Sequence, residues 1–347
     1  MKEPVIAVAL SGGIDSLVAG FLLKQRYAHV FGLHFTTGYE TAPKQINRIK
    51  DQLKMDIITL DLSTVFEQEV VTYFVSTYIQ GKTPNPCMVC NQKIKFGVLL
   101  NQAKKLGADY LATGHYATII NALTRPDHKL FHAWLEKGAD AKKDQSYFLA
   151  RLSGQQLSKI ICPLAQFSKD TVKDMAVRHH LAPISAKESQ DICFIHDSGF
   201  GKFITDKSSM TPRKGPVKDS NGRQVGTHNG VFGFTIGQRR GINCPASEPY
   251  YVQKIDPLTN TLYVCFKQDL AQTAMAVENI VWHNEKTDDI QDVATKIRYQ
   301  HKEAPSILHR RGSAGNVIFK EPQYAFTPGQ TAVFYQKNKV LGSGIIQ

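Results

Sequence analysis

Residues 5–23 read VIAVALSGGIDSLVAGFLL: an apolar run, then Ser11-Gly12-Gly13-Ile14-Asp15-Ser16, then a helix-like stretch with no turn signal between them. That order describes a strand, a loop and a helix N-terminus, where unsatisfied backbone N–H groups and the helix dipole favour an anion. The loop is neither a Walker loop, which needs Gly-Lys before Ser or Thr, nor a G-x-G-x-x-G dinucleotide fingerprint. Two glycines flanked by hydroxyls can wrap a pyrophosphate, and Asp15 can cap the helix or help hold Mg²⁺. The bland alternative is a glycine turn with a capping serine or aspartate; the strand and helix on either side weigh against it.

The loop resembles S-G-G-x-D-S of the ATP pyrophosphatases, which cleave ATP to AMP and pyrophosphate. Working outward, short apolar segments at 5–10, 29–35, 56–62 and 109–114 alternate with amphipathic ones at 16–26, 43–53, 65–80 and 93–106. This alternation predicts an α/β fold, a doubly wound and mostly parallel sheet. Ligands in such folds sit beyond the carboxyl ends of the strands, so Ser11–Ser16, Phe35 and Gly114-His115 should share one rim. From about residue 202 the texture changes. RKGPVKDSNGRQVGTHNG is rich in turn residues, and the segments that follow are short and β-like. Three domains are expected: a catalytic α/β domain at 1–201, a small β-domain at 202–270, and a barrel-like β-domain at 271–347.

The 347 residues carry a formal net charge of +12, which suits a polyanionic partner whose binding would be salt-sensitive. A charged surface can also serve solubility alone. The chain runs from Met1 into a strand without a signal-peptide layout, and no apolar stretch approaches membrane-spanning length. A cytoplasmic protein with no membrane partner is expected. Six cysteines there suit free, catalytic or metal-binding roles better than structural disulfides.

Two of these thiols lie in Thr83-Pro84-Asn85-Pro86-Cys87-Met88-Val89-Cys90-Asn91. The prolines fix a loop, and a helix is expected from about Lys93. Placed before that helix and near Lys93 and Lys95, Cys90 should have its thiolate favoured. A buried pair of small apolar side chains is the alternative. C-x2-C supplies only two zinc ligands, and no second such pair exists, so no structural zinc site is expected. Cys193 lies among polar residues in 187–195, whereas Cys162 and Cys265 sit in apolar surroundings and read as core.

The loop SGGIDS, TPNPCMVCNQKIKFG, ATGHYA, KDQSYFLARL, the Cys193 segment and FTIGQRRG occur in the order found in bacterial tRNA-uridine 2-sulfurtransferases, and the chain resembles that family over nearly its whole length. The resemblance implies an adenine nucleotide alpha-hydrolase-like domain binding ATP at Ala9, Leu10, Ser11, Gly12, Gly13, Ile14, Asp15, Ser16, Phe35 and Gly114, with Mg²⁺. It implies adenylation of the C2 oxygen of the wobble uridine, a persulfide on Cys193, and Cys90 as partner nucleophile, leaving a Cys90–Cys193 disulfide to be reduced at each turnover. It implies tRNA contacts at Asn85, Pro86, Cys87, His115, Lys143, Asp144, Gln145, Arg298, Tyr299 and Gln330. The residue types suit this: cations pair with phosphates, Tyr299 can stack, and Asn85 or Gln145 can read a base edge. The implied partners are tRNAs for lysine, glutamate and glutamine, and a sulfur donor such as a cysteine desulfurase or relay protein.

Some members of the family carry Asp where this chain has Cys87, which weakens a proton-transfer role and creates a triad with Cys90 and Cys193. Three thiolates could hold a [4Fe–4S] cluster, a second route to tRNA thiolation. Amide-forming ATP pyrophosphatases share the loop, yet they would have no use for the two thiols.

Overall fold

The computed structural model describes residues 3–40, 45–125, 132–184, 192–195, 199–208, 210–283 and 289–347. Two compact units emerge. The first comprises Met1–Val70, Cys87–Phe194 and Lys337–Leu341; the second comprises Val71–Pro86, Ile195–Gln336 and Gly342–Gln347.

In the first unit the strands are β1 (Ile6–Ala9), β2 (Val30–Thr36), β3 (Ile57–Asp61), β4 (Tyr110–Ala112), β5 (Ala117–Ile120), β6 (Trp134–Lys137) and β7 (Ile160–Ile161). Five of them form a parallel sheet in the order β3-β2-β1-β4-β7. Ile6, Ala7 and Val8 are fully buried, so β1 is covered on both faces, which is why its sequence is apolar without alternation. Helices α1 (Ile14–Arg26), α2 (Ile46–Leu53) and α3 (Lys169–Arg178) add Leu17, Val18, Ile49, Leu53, Val172 and Ala176 to the same core. The strand order reverses between β1 and β4, and a crevice opens at such a point beyond the carboxyl ends of the two strands.

Expected helices shift at their starts. α1 begins at Ile14 rather than at 16, because Gly12 turns the chain at φ +82° and Gly13 is the N-cap in extended geometry. Asp15 and Ser16 therefore stand in its first turn. The helix expected from about 93 begins at Pro86 and runs through 86–105, with a π-helical stretch at Cys90–Leu99. Proline's fixed φ suits the first helical position, so Cys87 and Cys90 lie on the helix rather than ahead of it. The helix expected over 65–80 runs from Ser63 to Ile79, with a π-helical turn at Glu67–Val71. Such turns concentrate at functional sites.

The second unit holds two β-assemblies. Strands β8 (Gly215–Lys218), β9 (Gln224–His228), β10 (Tyr251–Asp256) and β11 (Thr261–Cys265) pair in the order β10-β11-β8-β9 around buried Val217, Val252, Leu262 and Val264. The others are β12 (Ala271–Trp282), β13 (Ile290–Lys296), β14 (Ala304–Arg311), β15 (Ala314–Tyr324), β16 (Thr331–Gln336) and β17 (Lys339–Ile346). They follow β12-β15-β14-β13-β16-β17, and β12 pairs back onto β17 through Val277 and Ile346. The six strands close a barrel and so leave no open edge. Helix α4 (Gly199–Ser208) sets Phe200 against Tyr78 and Phe203 against Phe74, with ring centroids 5.2 and 6.1 Å apart.

Gly114 follows β4 and lies against the first turn of α1: a Cβ there would stand 2.8 Å from the Asp15 carbonyl carbon and 2.9 Å from the Ser16 nitrogen. Backbone cannot yield as a flexible side chain would. Gly114→Ala is expected to cost about 1–3 kcal/mol of stability, read as a lowered denaturant midpoint; an unchanged midpoint would show that the approach is not tight.

Candidate active site

The loop after β1 runs directly into the N-terminus of α1. The first α-helical hydrogen bond runs from the Leu17 N–H to the Gly13 carbonyl at 3.2 Å, so the N–H groups ahead of it have no acceptor within the helix. The Ser11 hydroxyl accepts from the Gly13 N–H at 3.4 Å and donates to Ser16 Oγ at 3.3 Å, while Ser16 Oγ donates to the Gly13 carbonyl at 2.9 Å. Ala9 ends β1 and Leu10 is buried beneath the loop. Phe35 lies at the carboxyl end of β2, half-buried, and Gly114 at that of β4. The rim anticipated from the strand pattern is thus assembled.

Asp15 departs from one of its anticipated roles. It does not cap α1. Lys169 Nζ donates to its two oxygens at 2.7 and 2.8 Å, and the Tyr116 hydroxyl donates to Oδ1 at 2.7 Å. Neither Lys169 nor Tyr116 was singled out by sequence reasoning. The signal for Lys169 was indirect: Ser168 is a good N-cap, and it does cap α3 by accepting from the Thr171 N–H.

The cysteines gather on the same unit. Cys87 is exposed, Cys90 half-buried and Cys193 exposed, none of them in a disulfide. Burial pushes the Cys90 thiol up from 9.0 to about 12; Lys95 acts in the opposite direction, and the charges of Cys193 and Cys87 add to the rise. Burial likewise raises Cys87, again opposed by Lys95 and reinforced by Cys193. Three thiols and one ammonium therefore lie within electrostatic reach of one another. The expectation of a favoured Cys90 thiolate is corrected, because desolvation outweighs the nearby lysine. His115 shares this field: burial, then Lys95, holds its imidazole well below the usual range and so neutral. Thr113 Oγ1 meets His115 Nδ1 at 2.8 Å, and the Phe96 ring lies 5.9 Å from the His115 ring. Lys95 thus relates the thiols to the rim of the phosphate loop.

Cys193 has a fixed neighbour. Phe194 is 2 % exposed and its ring lies 5.7 Å from Phe66 and 5.8 Å from Tyr39. This aromatic anchor holds the turn on which the thiol is displayed. Of the segment 187–195, residues 187–191 fall outside the described residues. Cys162 and Cys265 are buried as expected.

Residues anticipated at the RNA take varied positions. Lys143 is half-buried and Arg298 exposed, and Lys296 lies 5.4 Å over the half-buried Tyr299 ring. Asp144 is 8 % exposed, and its carboxylate accepts from the Gly138 and Ser146 N–H groups and from the Ser146 hydroxyl, so it shapes its own loop. Gln145 is tied to Tyr116: its Oε1 accepts from the Tyr116 N–H at 3.0 Å and its own N–H donates to the Tyr116 carbonyl at 2.8 Å. Within the second unit, Gln330 Nε2 donates to the Thr83 and Pro84 carbonyls at 3.1 and 3.0 Å. The Thr83 N–H donates to the Pro328 carbonyl at 2.8 Å, and the Asn85 N–H reaches the Tyr73 hydroxyl at 3.4 Å. Gln330 is therefore a brace for the Pro84-Asn85-Pro86 loop.

An α/β unit with a phosphate loop and clustered thiols, joined to two β-assemblies, defines the class, and comparison with known proteins agrees. Residues 4–197 match the tRNA methyl transferase HUP domain, 202–266 the tRNA methyl transferase PRC-barrel domain, and 272–346 the aminomethyltransferase beta-barrel domain. A tRNA-specific 2-thiouridylase MnmA of Desulfosudis oleivorans is 46% identical over 349 residues, spanning 100% of this chain and 96% of its own. Relatives of the same name from Syntrophomonas wolfei and Chlorobium luteolum are 40% and 38% identical, covering 98% and 100% of this chain and 99% and 97% of their own. The chain belongs to the tRNA-specific 2-thiouridylase family.

Two measurements probe this geometry. Alkylation at pH 8 followed by peptide mass spectrometry is expected to label Cys193 well before Cys90. Because folding favours the protonated Cys90 thiol, its contribution to stability is full below about pH 9 and is lost as pH rises toward 12. Equal labelling rates would remove the burial argument. Gln330→Ala is expected to cost about 1–3 kcal/mol for the two lost hydrogen bonds, seen in urea denaturation, and an unchanged midpoint would deny Gln330 its bracing role.

Proposed function

We propose that this protein is an ATP-dependent tRNA sulfurtransferase that converts uridine 34 to 2-thiouridine. The observation that carries the reading is the shared field of Lys95, which acts on Cys87, Cys90 and on His115 at the rim of the phosphate loop. An activating site and a sulfur-handling site then serve one base. Ser11–Ser16 hold the phosphates of ATP on backbone N–H groups, with Phe35 and Gly114 completing the nucleotide site. The uridine C2 oxygen attacks the α-phosphate, the bond to the β-phosphate breaks, and pyrophosphate leaves. Donors at the helix N-terminus stabilise the charge that develops there.

Sulfur then replaces the activated oxygen. The terminal sulfur of a Cys193 persulfide attacks C2 and AMP departs with the former oxygen. Cys90, on losing its proton, attacks the Cys193 sulfur, so that the S–S bond breaks toward the base and 2-thiouridine is released. The Cys90–Cys193 disulfide is reduced by an external dithiol. A thiol raised to about 12 attacks only after its proton is lost, so Cys90 acts late, once the bound substrates have changed its surroundings.

The tRNA is read as a flipped wobble base from a single-stranded loop, placed by Asn85, Pro86 and Cys87. His115, Lys143, Gln145, Arg298 and Tyr299 meet the RNA. Asp144 and Gln330 support this contact through the loops they hold. The net charge of +12 suits the polyanion. The substrates are the lysine, glutamate and glutamine tRNAs, and the persulfide comes from a cysteine desulfurase, directly or by relay. No helix of the described residues is long and apolar enough to cross a membrane, which suits a cytoplasmic enzyme.

Metals fit the residues less well. Both Asp15 oxygens are engaged, and among the described residues no three His, Cys, Asp or Glu side chains are grouped to hold a metal ion. These residues favour Mg²⁺ arriving on the phosphates over a protein-held Mg²⁺, and a persulfide over a [4Fe–4S] cluster on Cys87, Cys90 and Cys193.

The test supplies ATP, Mg²⁺, a persulfide donor and unmodified tRNA, and looks for 2-thiouridine in digested tRNA by mass spectrometry. Cys193→Ser is expected to lower product formation by about 100-fold or more while ATP and tRNA binding persist. Full activity in that variant would sink the persulfide scheme.

A further inference from the structure

The Asp15–Lys169 pair sits at the mouth of the phosphate loop. The Lys169 side chain is 7 % exposed and that of Asp15 34 %, so the ammonium has left water and depends on its partner. Its position is built in. The Lys169 backbone N–H donates to Asp140 Oδ2 at 3.0 Å, its helix is capped by Ser168, and its Nζ lies 5.9 Å over the Tyr116 ring. Tyr116 adds a second donor to the same carboxylate at 2.7 Å.

An anion-binding helix N-terminus with a carboxylate in its first turn contains a conflict. The carboxylate suits the helix dipole in the resting protein, yet it would repel a triphosphate arriving at the same N–H groups. We infer that Lys169 is an electrostatic component of the nucleotide site, neutralising Asp15 so that the loop accepts a polyphosphate, and that Asp15 is a counter-ion and not a Mg²⁺ ligand. This rests on the loop being the ATP site. Its distinctive consequence is reciprocity: the need for Lys169 exists only while Asp15 is charged, so neutralising both should restore what neutralising Lys169 alone destroys.

The experiment measures ATP binding by equilibrium dialysis over a series of free Mg²⁺ concentrations. It uses the full chain as wild type, Lys169→Met, Asp15→Asn and the double variant, with melting curves to confirm folding. Lys169→Met is expected to weaken ATP binding about tenfold or more, and the double variant to return within about threefold of wild type at the same Mg²⁺ requirement. Either single variant leaves one charge uncompensated; if Lys169→Met fails to fold, Lys169→Gln takes its place, and a folded variant of either kind that binds ATP as tightly as wild type overturns the inference. Two further results overturn it. One is a double variant that binds ATP tenfold or more weakly than wild type, about as Lys169→Met does. The other is a double variant that needs about fivefold more Mg²⁺ for half-saturation, which would make Asp15 a metal ligand. A folded wild-type chain that binds no ATP at any Mg²⁺ concentration would overturn the ATP reading instead.

Discussion

The backbone of Gly114 rests on the first turn of α1, where any Cβ would meet the Asp15 and Ser16 main chain at under 3 Å. This approach joins the carboxyl ends of β1 and β4 at the point where strand order reverses. Gly12 bends the chain, Gly13 opens the helix, and Gly114 lets the neighbouring strand end close over both. The next two residues, His115 and Tyr116, are thereby aimed: Tyr116 donates to Asp15, and His115 lies beside Phe96 on the helix that bears Cys90. A side chain at 114 would disturb nucleotide loop and thiol environment together.

Burial decides the chemistry of the thiols more than charge does. Lys95 favours the thiolates of Cys87 and Cys90, yet desolvation is the larger effect at both. A resting thiol held protonated is protected from oxidation and alkylation until its proton is removed. The same crowding keeps His115 neutral, because a buried imidazole next to an ammonium gains nothing by ionising. An exposed Cys193, anchored through Phe194, and a protected Cys90 suit unequal roles, the first loaded from outside and the second acting on what the first has delivered.

Within the second unit, long-range contacts hold the segment 83–84. Gln330, Gly329 and Pro328 hold Thr83 and Pro84 through hydrogen bonds and close contact, since a Cβ at Gly329 would stand 2.8 Å from the Thr83 carbonyl oxygen. Residues some 250 positions apart in sequence thus share one small structure. A side chain that looks like a base reader in sequence can be spent on holding backbone.

Local patterns were enough to place the strands of the parallel sheet, the loop between β1 and α1 and the β-rich second half, because each is written in contiguous residues: an apolar run, two glycines between hydroxyls, a composition shift. Helix starts at Ile14 and Pro86 were misjudged by a few residues, since caps depend on backbone angles that composition does not specify. Only the tertiary structure decided the partners of long-range groups. It gave Asp15 to Lys169, 154 residues away, turned Asp144 and Gln330 inward, and raised rather than lowered the Cys90 thiol. The reason is physical: charge state and hydrogen-bond capacity are set by what surrounds an atom, and for Asp15 and Gln330 those neighbours come from elements far apart along the chain, whereas Asp144 is taken up by its own loop.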